Sequence, residues 1–162
     1  MWWLSDPDFD KEVEQRFLTL LNKATQAELY EWRKEPLGRL AEVIVLDQFS
    51  RNIHRNTPQA FAQDSMALAL AQEAISVDAH TSMSAVERSF LYMPFMHSES
   101  KCIHQWAEVL FRDNGIKNNY DFELKHKAII DRFGRYPHRN KILGRHSTEE
   151  EVEFLRQPGS SF

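Results

Sequence analysis

The sequence predicts an all-α protein, and three observations support this class. Only five glycines and six prolines interrupt the 162 residues, so long helices can form without a break. No stretch shows the strict apolar/polar alternation of a half-buried strand. Capping boxes recur instead, because a Ser or Thr is followed three residues later by Glu at Thr25–Glu28, Ser84–Glu87 and Ser147–Glu150.

Four helices are expected in the first half of the chain, at about residues 7–23, 26–33, 36–54 and 58–77. Pro36 and Pro58 suit the first position of a helix, where the missing N–H of proline leaves no bond unmade. The run from Val43 to Leu46 is apolar all round, which predicts a helix at the centre of the fold.

The helix expected at 58–77 carries two kinds of apolar position. One recurs every seven residues and predicts an inward stripe, made of Phe61, Leu68 and Ile75. The other is a set of small residues that allow a neighbouring helix to approach closely: Ala67, Ala71 and Ala74.

Four more helices are expected in the second half, at about residues 84–96, 98–113, 119–133 and 148–156. Pro94 should bend or end its helix near Met93, because proline cannot donate the helical hydrogen bond. Gly115 and Gly134 are the expected C-terminal stops. The short connections imply antiparallel helical hairpins, stacked as a bundle or a short solenoid.

Composition predicts a single domain over residues 1–162, since 42% apolar residues can close one core. The net charge of −4 excludes a general nucleic-acid or membrane-surface binder, and no apolar run is long enough to span a bilayer. The lone Cys102 excludes an internal disulfide and favours a reducing compartment, so the expected location is the cytoplasm. Its neighbours Ile103 and Trp106 predict that Cys102 is a small buried hydrophobe.

The first candidate site is Asp47-Gln48-x-x-Arg51-Asn52. Asp47 lies four residues before Arg51, as Gln48 does before Asn52, so each pair shares one helix face. The apolar residues before them place that face near the interior. One interpretation is a structural ion pair with amide caps. The other is a site for an anion or carboxylate that uses Arg51 and Asn52.

The second candidate site lies between Arg132 and Arg145, a stretch with five Lys or Arg residues and no carboxylate inside it. Gly134 should turn the chain out of its helix, and the Tyr136-Pro137 pair then holds it extended. Such a loop can direct nearby polar side chains back at the helices; the candidates are Arg135, His138, Arg139 and Asn140. They either clamp a small anionic ligand or cap carbonyls at helix ends.

The third candidate site surrounds Pro94 and comprises Tyr92, His97 and Glu99. A His and a Glu two residues apart, beside a helix break, suit acid–base work, but they equally suit capping of the next helix. None of the seven histidines is part of a His-Glu-x-x-His motif, so no metal is predicted. No Gly-rich phosphate loop or dinucleotide motif occurs either, and no cofactor is predicted.

The tripeptide His-Arg-Asn occurs twice, at residues 54–56 and 138–140, but the flanking residues are unrelated and no repeat is inferred. Three longer strings carry a resemblance instead: residues 46–52, 92–99 and 132–144. In their order and spacing they resemble a bacterial domain-of-unknown-function family, the one numbered 924, and the resemblance covers essentially the whole chain. It implies a compact TPR-like helical fold in which the three strings converge, and it implies no reaction.

Two departures from the family pattern are expected to matter. Family members usually carry Pro where this chain has Ser50, a change that should relax the helix end. They also usually begin with a further aromatic-rich helix, whereas this chain starts at Met1-Trp2-Trp3. Core packing alone is not expected to order the two indoles, and the groove that the extra helix would cover is expected to be open.

The leading functional hypothesis is a binding or scaffold module that takes a peptide or a small anionic ligand. The first alternative is an enzyme for a small anionic metabolite, in which Arg51, Arg135 and Arg139 orient the substrate. Its acid or base would be Asp47, His97 or Glu99. The second alternative is that the polar clusters are purely structural. The sequence does not define an oligomeric state.

Overall fold

A computed structural model describes residues 6–161, so Trp2 and Trp3 lie outside the described part of the chain. Residues 6–161 form helices connected by turns and contain no strand, which confirms the all-α class. The chain divides into two compact units, Met1–Pro94 and Phe95–Phe162. Each unit has its own polar cluster, described below.

The first unit is built from α1 to α4 and most of α5; their bounds are α1 Pro7–Thr25, α2 Pro36–Ile44, α3 Ser50–Ile53, α4 Asp64–Ser76 and α5 Ala85–His97. Three short 3-10 turns connect them, at Tyr30–Lys34, Pro58–Phe61 and Ala79–Ser82. Pro36 and Pro58 each occupy the first position of their element, as the sequence predicts. The segment expected as a helix at 26–33 is only the turn at Tyr30–Lys34.

The helix that runs from α2 into α3 changes its winding over Val45–Phe49, which is π-helical. A π turn adds one residue to the helical repeat and so rotates the following side chains relative to an α-helix. All five residues of this segment are buried, and two of them are polar: Asp47 and Gln48. The widened turn therefore sets a carboxylate and an amide inside the first unit.

Close packing in the first unit depends on small residues. Ala67, Ala71 and Ala74 are fully buried on α4, which packs against α2. The inward stripe expected from the seven-residue spacing is only partly buried, so alanine rather than bulk faces the centre. Gly38 of α2 has the same role, because a Cβ there would lie 2.0 Å from the carbonyl oxygen of Trp32.

The second unit contains the end of α5, then α6 (Lys101–Asn114), α7 (Lys117–Phe133), a 3-10 turn (Pro137–Arg139) and α8 (Glu149–Leu155). α6 and α7 pack against each other and are joined by residues 115–116 alone, which makes them a helical hairpin. Gly115 and Gly134 end these helices in the left-handed conformation, with φ of 79° and 69°. Both predicted stops are confirmed.

The helix expected at about 84–96 is confirmed as α5, but it does not end near Met93, because Pro94 lies inside α5 and the helix continues to His97. Buried side chains on both sides of the proline, such as Leu91 and Phe95, hold the helix in place despite the lost backbone bond. Cys102 is exposed rather than buried, because α6 turns its His104 face inward and leaves Cys102 at the surface.

The capping boxes are found at two of the three expected places, one of them shifted. Ser84 and Glu87 exchange the two reciprocal bonds, as predicted. At α8 the box joins Thr148 and Glu151, one residue later than expected. The hydroxyl of Thr25 instead donates to the carbonyl of Asn22 at 2.9 Å, so it ends α1 rather than starting a helix. Within residues 6–161, no helix combines the length and apolarity needed to cross a membrane.

Candidate functional site

The first unit holds a polar group that we call the aspartate cluster: Asp10, Asp47, Asp64, Arg51 and Arg55 with their amide neighbours. Arg51 is its centre. One guanidinium nitrogen donates to the carbonyl and the carboxylate of Asp47 at 2.8 and 3.1 Å, and another donates to Asp64 at 3.0 Å. Arg51 thus ties its own helix to the start of α4, and Asp47 is only 1% exposed.

Asp10 of α1 is the second anchor of the aspartate cluster. Arg55 donates to both of its oxygens, at 2.5 and 2.8 Å, and the amide of Asn52 donates at 2.8 Å. The hydrogen bond from Arg55 is the main reason that the pKa of Asp10 lies below its ordinary value; burial opposes it, and Asn52 adds to the lowering. The amide of Gln48 donates to Asp47 at 2.6 Å.

The geometry of the aspartate cluster matches the structural interpretation of the first candidate site. Both arginines are engaged by carboxylates that come from other helices, and the amides of Gln48 and Asn52 add bonds to the same carboxylates. Breaking such a pair leaves a buried charge behind, which is strongly destabilising. The cluster pins α1, α3 and α4 together.

The second unit holds what we call the Tyr136 cluster, built around a tyrosine that is 0% exposed. The hydroxyl of Tyr136 donates to the carbonyl of Met96 at 2.5 Å, and its backbone N–H donates to Glu99 at 2.7 Å. Its carbonyl accepts from Arg145 at 3.2 Å. Hydrogen bonds therefore hold Tyr136 at its side-chain hydroxyl, at its backbone N–H and at its carbonyl.

Glu99 has an anchoring role in the Tyr136 cluster. Arg145 grips it through two nitrogens, at 2.6 and 2.9 Å. Burial alone would raise the pKa of Glu99, but the hydrogen bonds from Arg145 and from the Tyr136 backbone outweigh burial and hold the pKa below its ordinary value. Glu99 is therefore ionised at neutral pH and committed to these donors.

Arg139 contacts the ring of Tyr136. It is 6% exposed, and its guanidinium carbon is 4.6 Å from the centre of the Tyr136 ring, a cation–π arrangement. Two imidazoles lie beside the same ring, His126 at 5.7 Å and His138 at 5.5 Å between ring centres.

The two imidazoles beside Arg139 are neutral at physiological pH. Burial, assisted by the positive charge of Arg139, lowers the pKa of His138 to about 4. Burial is also the main cause that lowers the pKa of His126 to about 3, and the charges of His97 and Arg139 act in the same direction. Positive charge at this place is therefore concentrated on the arginines.

Arg135 and Asn140 form hydrogen bonds with α8 and with the residues just before it. Arg135 donates to both oxygens of Glu151, at 2.6 and 2.7 Å, and to the carbonyl of His146 at 2.9 Å. The hydrogen bond from Arg135 lowers the pKa of Glu151 to about 2 despite burial. The Asn140 amide donates to Ser147 at 3.0 Å and accepts from Arg145 at 3.0 Å. These two residues fix the loop onto α8.

The site residues predicted from the sequence leave out five residues of the Tyr136 cluster, which are Tyr136, Arg145, His104, Glu123 and His126. His104 and Glu123 are both 0% exposed, and His104 Nδ1 lies 2.7 Å from Glu123 Oε1. A signal for this pair was present on α7. Glu123 and His126 share the helix face of Ile129 and Ile130, so polar residues interrupt an otherwise apolar stripe.

The predicted site residues divide between the two units. Asp47, Gln48, Arg51 and Asn52 belong to the first unit, as does Tyr92, whose pKa is raised by burial. The others belong to the second unit; they are His97, Glu99, Arg135, His138, Arg139 and Asn140. The convergence of all three strings stays a prediction. Among the described residues, no group of three or more His, Cys, Asp or Glu side chains is arranged to hold a metal ion.

Comparison with known proteins gives one family and one solved structure. The family model described as "Bacterial protein of unknown function (DUF924)" matches residues 1–159. The structure of a protein of unknown function, ATU0120 from Agrobacterium tumefaciens, is similar with a TM-score of 0.91 and 36% sequence identity, over 95% of this chain and 87% of that chain. None of the curated proteins compared matches this chain. The chain belongs to the DUF924 family of bacterial proteins.

Proposed function

We propose that the protein is a binding module that takes an anionic group, a carboxylate or a phosphate, at the Tyr136 cluster. The observation that carries the proposal is the position of Arg139. Its guanidinium lies on the Tyr136 ring beside two neutral imidazoles, at a place where Glu99 already faces Arg145. A cation held in a poorly solvated setting attracts an anion more strongly than a cation in water does.

His138 supports this proposal because it lies where the site meets the solvent. It is partly exposed, whereas Tyr136 beneath it is fully buried. Burial is the main cause of its low pKa, and the positive charges of Arg139 and Arg145 lower the pKa further against the opposing charge of Glu99. A bound anion would offset the positive charge, and it would accept a hydrogen bond from the His138 ring once the ring is protonated.

The other arginines offer less support for ligand binding. Arg51, Arg55 and Arg135 each grip one or two carboxylates of the same unit. An incoming anion would have to displace these carboxylates and leave them buried, which costs several kcal/mol per ion. We therefore assign those arginines to the stability of the helices, and we assign Arg139 to the ligand because of its place on the Tyr136 ring beside the neutral imidazoles.

A catalytic role finds less support than a binding role. Two of the three acid–base candidates are committed to structural partners: Asp47 bonds to Arg51 and Gln48, and Glu99 bonds to Arg145 and the Tyr136 backbone. A general base has to reach the proton that it removes. His97 stays as a candidate, and its charge is felt by His126.

Titration with inorganic phosphate, and separately with short peptides that end in a carboxylate or an amide, tests the proposal. Phosphate should raise the melting temperature of the wild type and the pKa of His138 measured by NMR. A peptide with a C-terminal carboxylate should act similarly if the natural partner is a chain end, and its amide counterpart should not. Absence of any effect of phosphate and of the peptides on wild type would overturn the proposal.

Variants at two arginines provide the matched comparison. Arg139→Ala should abolish both responses, and Arg139→Lys should retain a weaker one, because lysine supplies the charge without the planar fork. Arg156→Ala is the control, since Arg156 lies on the surface in an exposed pair with Glu153. Equal ligand responses in Arg139→Ala and Arg156→Ala would assign binding elsewhere.

Two finer expectations belong with this proposal. We propose that the helical hairpins follow a TPR-like arrangement, for which the α6–α7 hairpin is the local support. We also propose a cytoplasmic location, because the single cysteine cannot form an internal disulfide and its thiol is exposed.

A further inference from the structure

The pair formed by Glu123 and His104 is a fully buried titratable pair of the Tyr136 cluster, and it does not include Arg139, the residue proposed to bind the ligand. Both side chains are 0% exposed, and one carboxyl oxygen of Glu123 lies 2.7 Å from His104 Nδ1. The other oxygen, Oε2, is buried and has no hydrogen-bond partner among residues 6–161. A negative charge shared with such an oxygen is far costlier to bury than a neutral carboxyl group.

The surroundings of His104 fix the position of its proton. Nε2 lies 2.8 Å from the carbonyl oxygen of Ser98, which can only accept, so Nε2 carries the hydrogen. The Tyr136 hydroxyl lies 3.2 Å from the same nitrogen and donates to the carbonyl of Met96. In a neutral imidazole with its proton on Nε2, Nδ1 accepts, and its partner has to donate.

We propose that Glu123 is a neutral carboxylic acid that donates to His104, and that the pair is a pH-sensitive hydrogen-bond switch for the connection between α5 and α6. With the proton in place, the pair carries no net charge and all three polar contacts of the imidazole are compatible. This state holds the Ser98 carbonyl, and with it the connection that contains Glu99.

Loss of the proton reverses the directions of these bonds. When Glu123 releases its proton to solvent, a carboxylate lone pair faces the lone pair of Nδ1 at 2.7 Å. The imidazole restores that bond by moving its proton from Nε2 to Nδ1, which leaves Nε2 facing the Ser98 carbonyl as an acceptor. The Tyr136 hydroxyl, 3.2 Å away, can then donate to Nε2 only by leaving Met96.

Loss of the Glu123 proton therefore affects how firmly the connection between α5 and α6 is held. Both carbonyls that lose their donors, Met96 and Ser98, lie at the end of α5 and just beyond it. The next residue, Glu99, is the one that Arg145 and the Tyr136 backbone grip. Deprotonation therefore loosens the attachment of the connection while Glu99 keeps its own donors.

Burial of the pair outweighs its charged neighbours and favours the protonated state of Glu123. Burial is the largest cause that raises the pKa of Glu123; the hydrogen bond and charge of His104 and the charge of Lys127 on α7 oppose it, while Glu108 on α6 adds to it. His97 on α5 and His104 on α6 both act to lower the pKa of His126 on α7, after burial as the main cause. Because the native pKa is raised, stability falls as pH rises from the ordinary value of 4.5 through the native pKa.

The Glu123→Gln variant separates the switch from its surroundings. A glutamine amide donates to Nδ1 at every pH, so the variant is locked in the arrangement of the protonated acid. Unfolding by denaturant between about pH 4 and pH 9 should show that wild type loses stability relative to Glu123→Gln as pH rises. Nitrogen NMR of His104 should show a change of tautomer in wild type and a constant Nε2–H tautomer in the variant.

Glu108→Gln is the matched control. It removes a carboxylate that raises the pKa of Glu123, so the transition should move to lower pH without disappearing. The proposal is overturned if His104 keeps one tautomer across the range in wild type. It is equally overturned if Glu123→Gln is less stable than wild type at neutral pH, since that result would mean an ion pair of imidazolium and carboxylate.

Discussion

The tripeptide His-Arg-Asn occurs once in each compact unit, and its arginine meets different surroundings in the two. Arg55 of the first copy lies two residues beyond the end of α3 and binds Asp10 of α1 with two hydrogen bonds. Arg139 of the second copy lies on the aromatic ring of Tyr136 and is almost fully buried. The same three letters thus give an ion pair in the aspartate cluster and a cation–π contact in the Tyr136 cluster.

The difference shows that the surroundings, not the motif, decide which contacts an arginine makes. In the first unit, carboxylates from α1 and α4 bind the arginines. In the second unit, a tyrosine ring and neutral imidazoles lie beside Arg139, and its charge acts on the pKa of His126, His138 and Glu99. We therefore expect the first cluster to respond to mutation through stability and the second through ligand binding.

The largest effect is expected at the centre of the aspartate cluster. Arg51→Ala leaves Asp47 buried without its cation, which should lower the free energy of unfolding by about 3–5 kcal/mol. Denaturant unfolding measures this loss. Arg16→Ala is the control, because its pair with Glu12 is exposed and should be worth less than about 1 kcal/mol. Similar losses in the two variants would contradict a structural role for Arg51.

The next largest effect on the free energy of unfolding is expected at Glu151, the carboxylate that binds Arg135 in the second unit. Glu151→Gln removes the charge that Arg135 grips, and it should cost about 2–3 kcal/mol at neutral pH. The pKa of Glu151 is lowered to about 2, so this stability is present above the ordinary value of 4.5 and is lost as pH falls towards 2. The gap between wild type and Glu151→Gln in acid titrations should therefore narrow below pH 4.5.

The exposed neighbour of Glu151 supplies the control for that titration. Glu150 pairs with Arg132 at the surface, and Glu150→Gln should change the free energy of unfolding by less than about 1 kcal/mol. A gap for Glu151→Gln that stays constant down to the lowest pH would mean that the stabilising group is not the ionised carboxylate.

A smaller effect on stability is expected at Arg139. Arg139→Ala removes a cation–π contact worth about 1–2 kcal/mol, less than the pair removed by Arg51→Ala. Thermal and denaturant unfolding of the two variants side by side gives the ranking. If Arg139→Ala unfolds the protein and Arg51→Ala does not, the comparison between the clusters is reversed and Arg139 is structural.

The smallest effect is expected at Ser50, beside the aspartate cluster. Ser50 is 1% exposed, and its hydroxyl oxygen has no hydrogen-bond partner in the described part of the chain. Ser50→Ala should therefore leave stability unchanged or raise it by up to about 1 kcal/mol. A clear loss of stability in unfolding experiments would show that the hydroxyl has a partner in solution.

Helix positions could be predicted from the sequence because their signals are local. Glycine stops at Gly115 and Gly134 and proline starts at Pro36 and Pro58 act within one turn, and the structure confirms them. The π turn at Val45–Phe49 could not be predicted, because packing around these residues overrides local preference.

The sites could be predicted only in part for a related reason. The sequence identified Arg51 with its near neighbour Asp47, and it identified Arg135 and Arg139, but it did not identify Arg55 or Arg145. It also gave no distant partners, because Asp10 lies 45 residues from Arg55 and Glu151 lies 16 from Arg135. Pairing over such distances depends on how helices pack. His104 and Glu123, 19 residues apart, were missed for the same reason.

A phosphate titration of the wild-type protein, followed by backbone and histidine NMR signals, tests most directly whether the Tyr136 cluster binds an anion while the aspartate cluster is structural. We predict that the largest shifts occur at Tyr136 to Asn140, that the pKa of His138 rises, and that the signals of Asp47 to Arg55 stay in place. Shifts centred on Arg51 and Arg55, or no shift in either cluster, would contradict the division of roles between the two units.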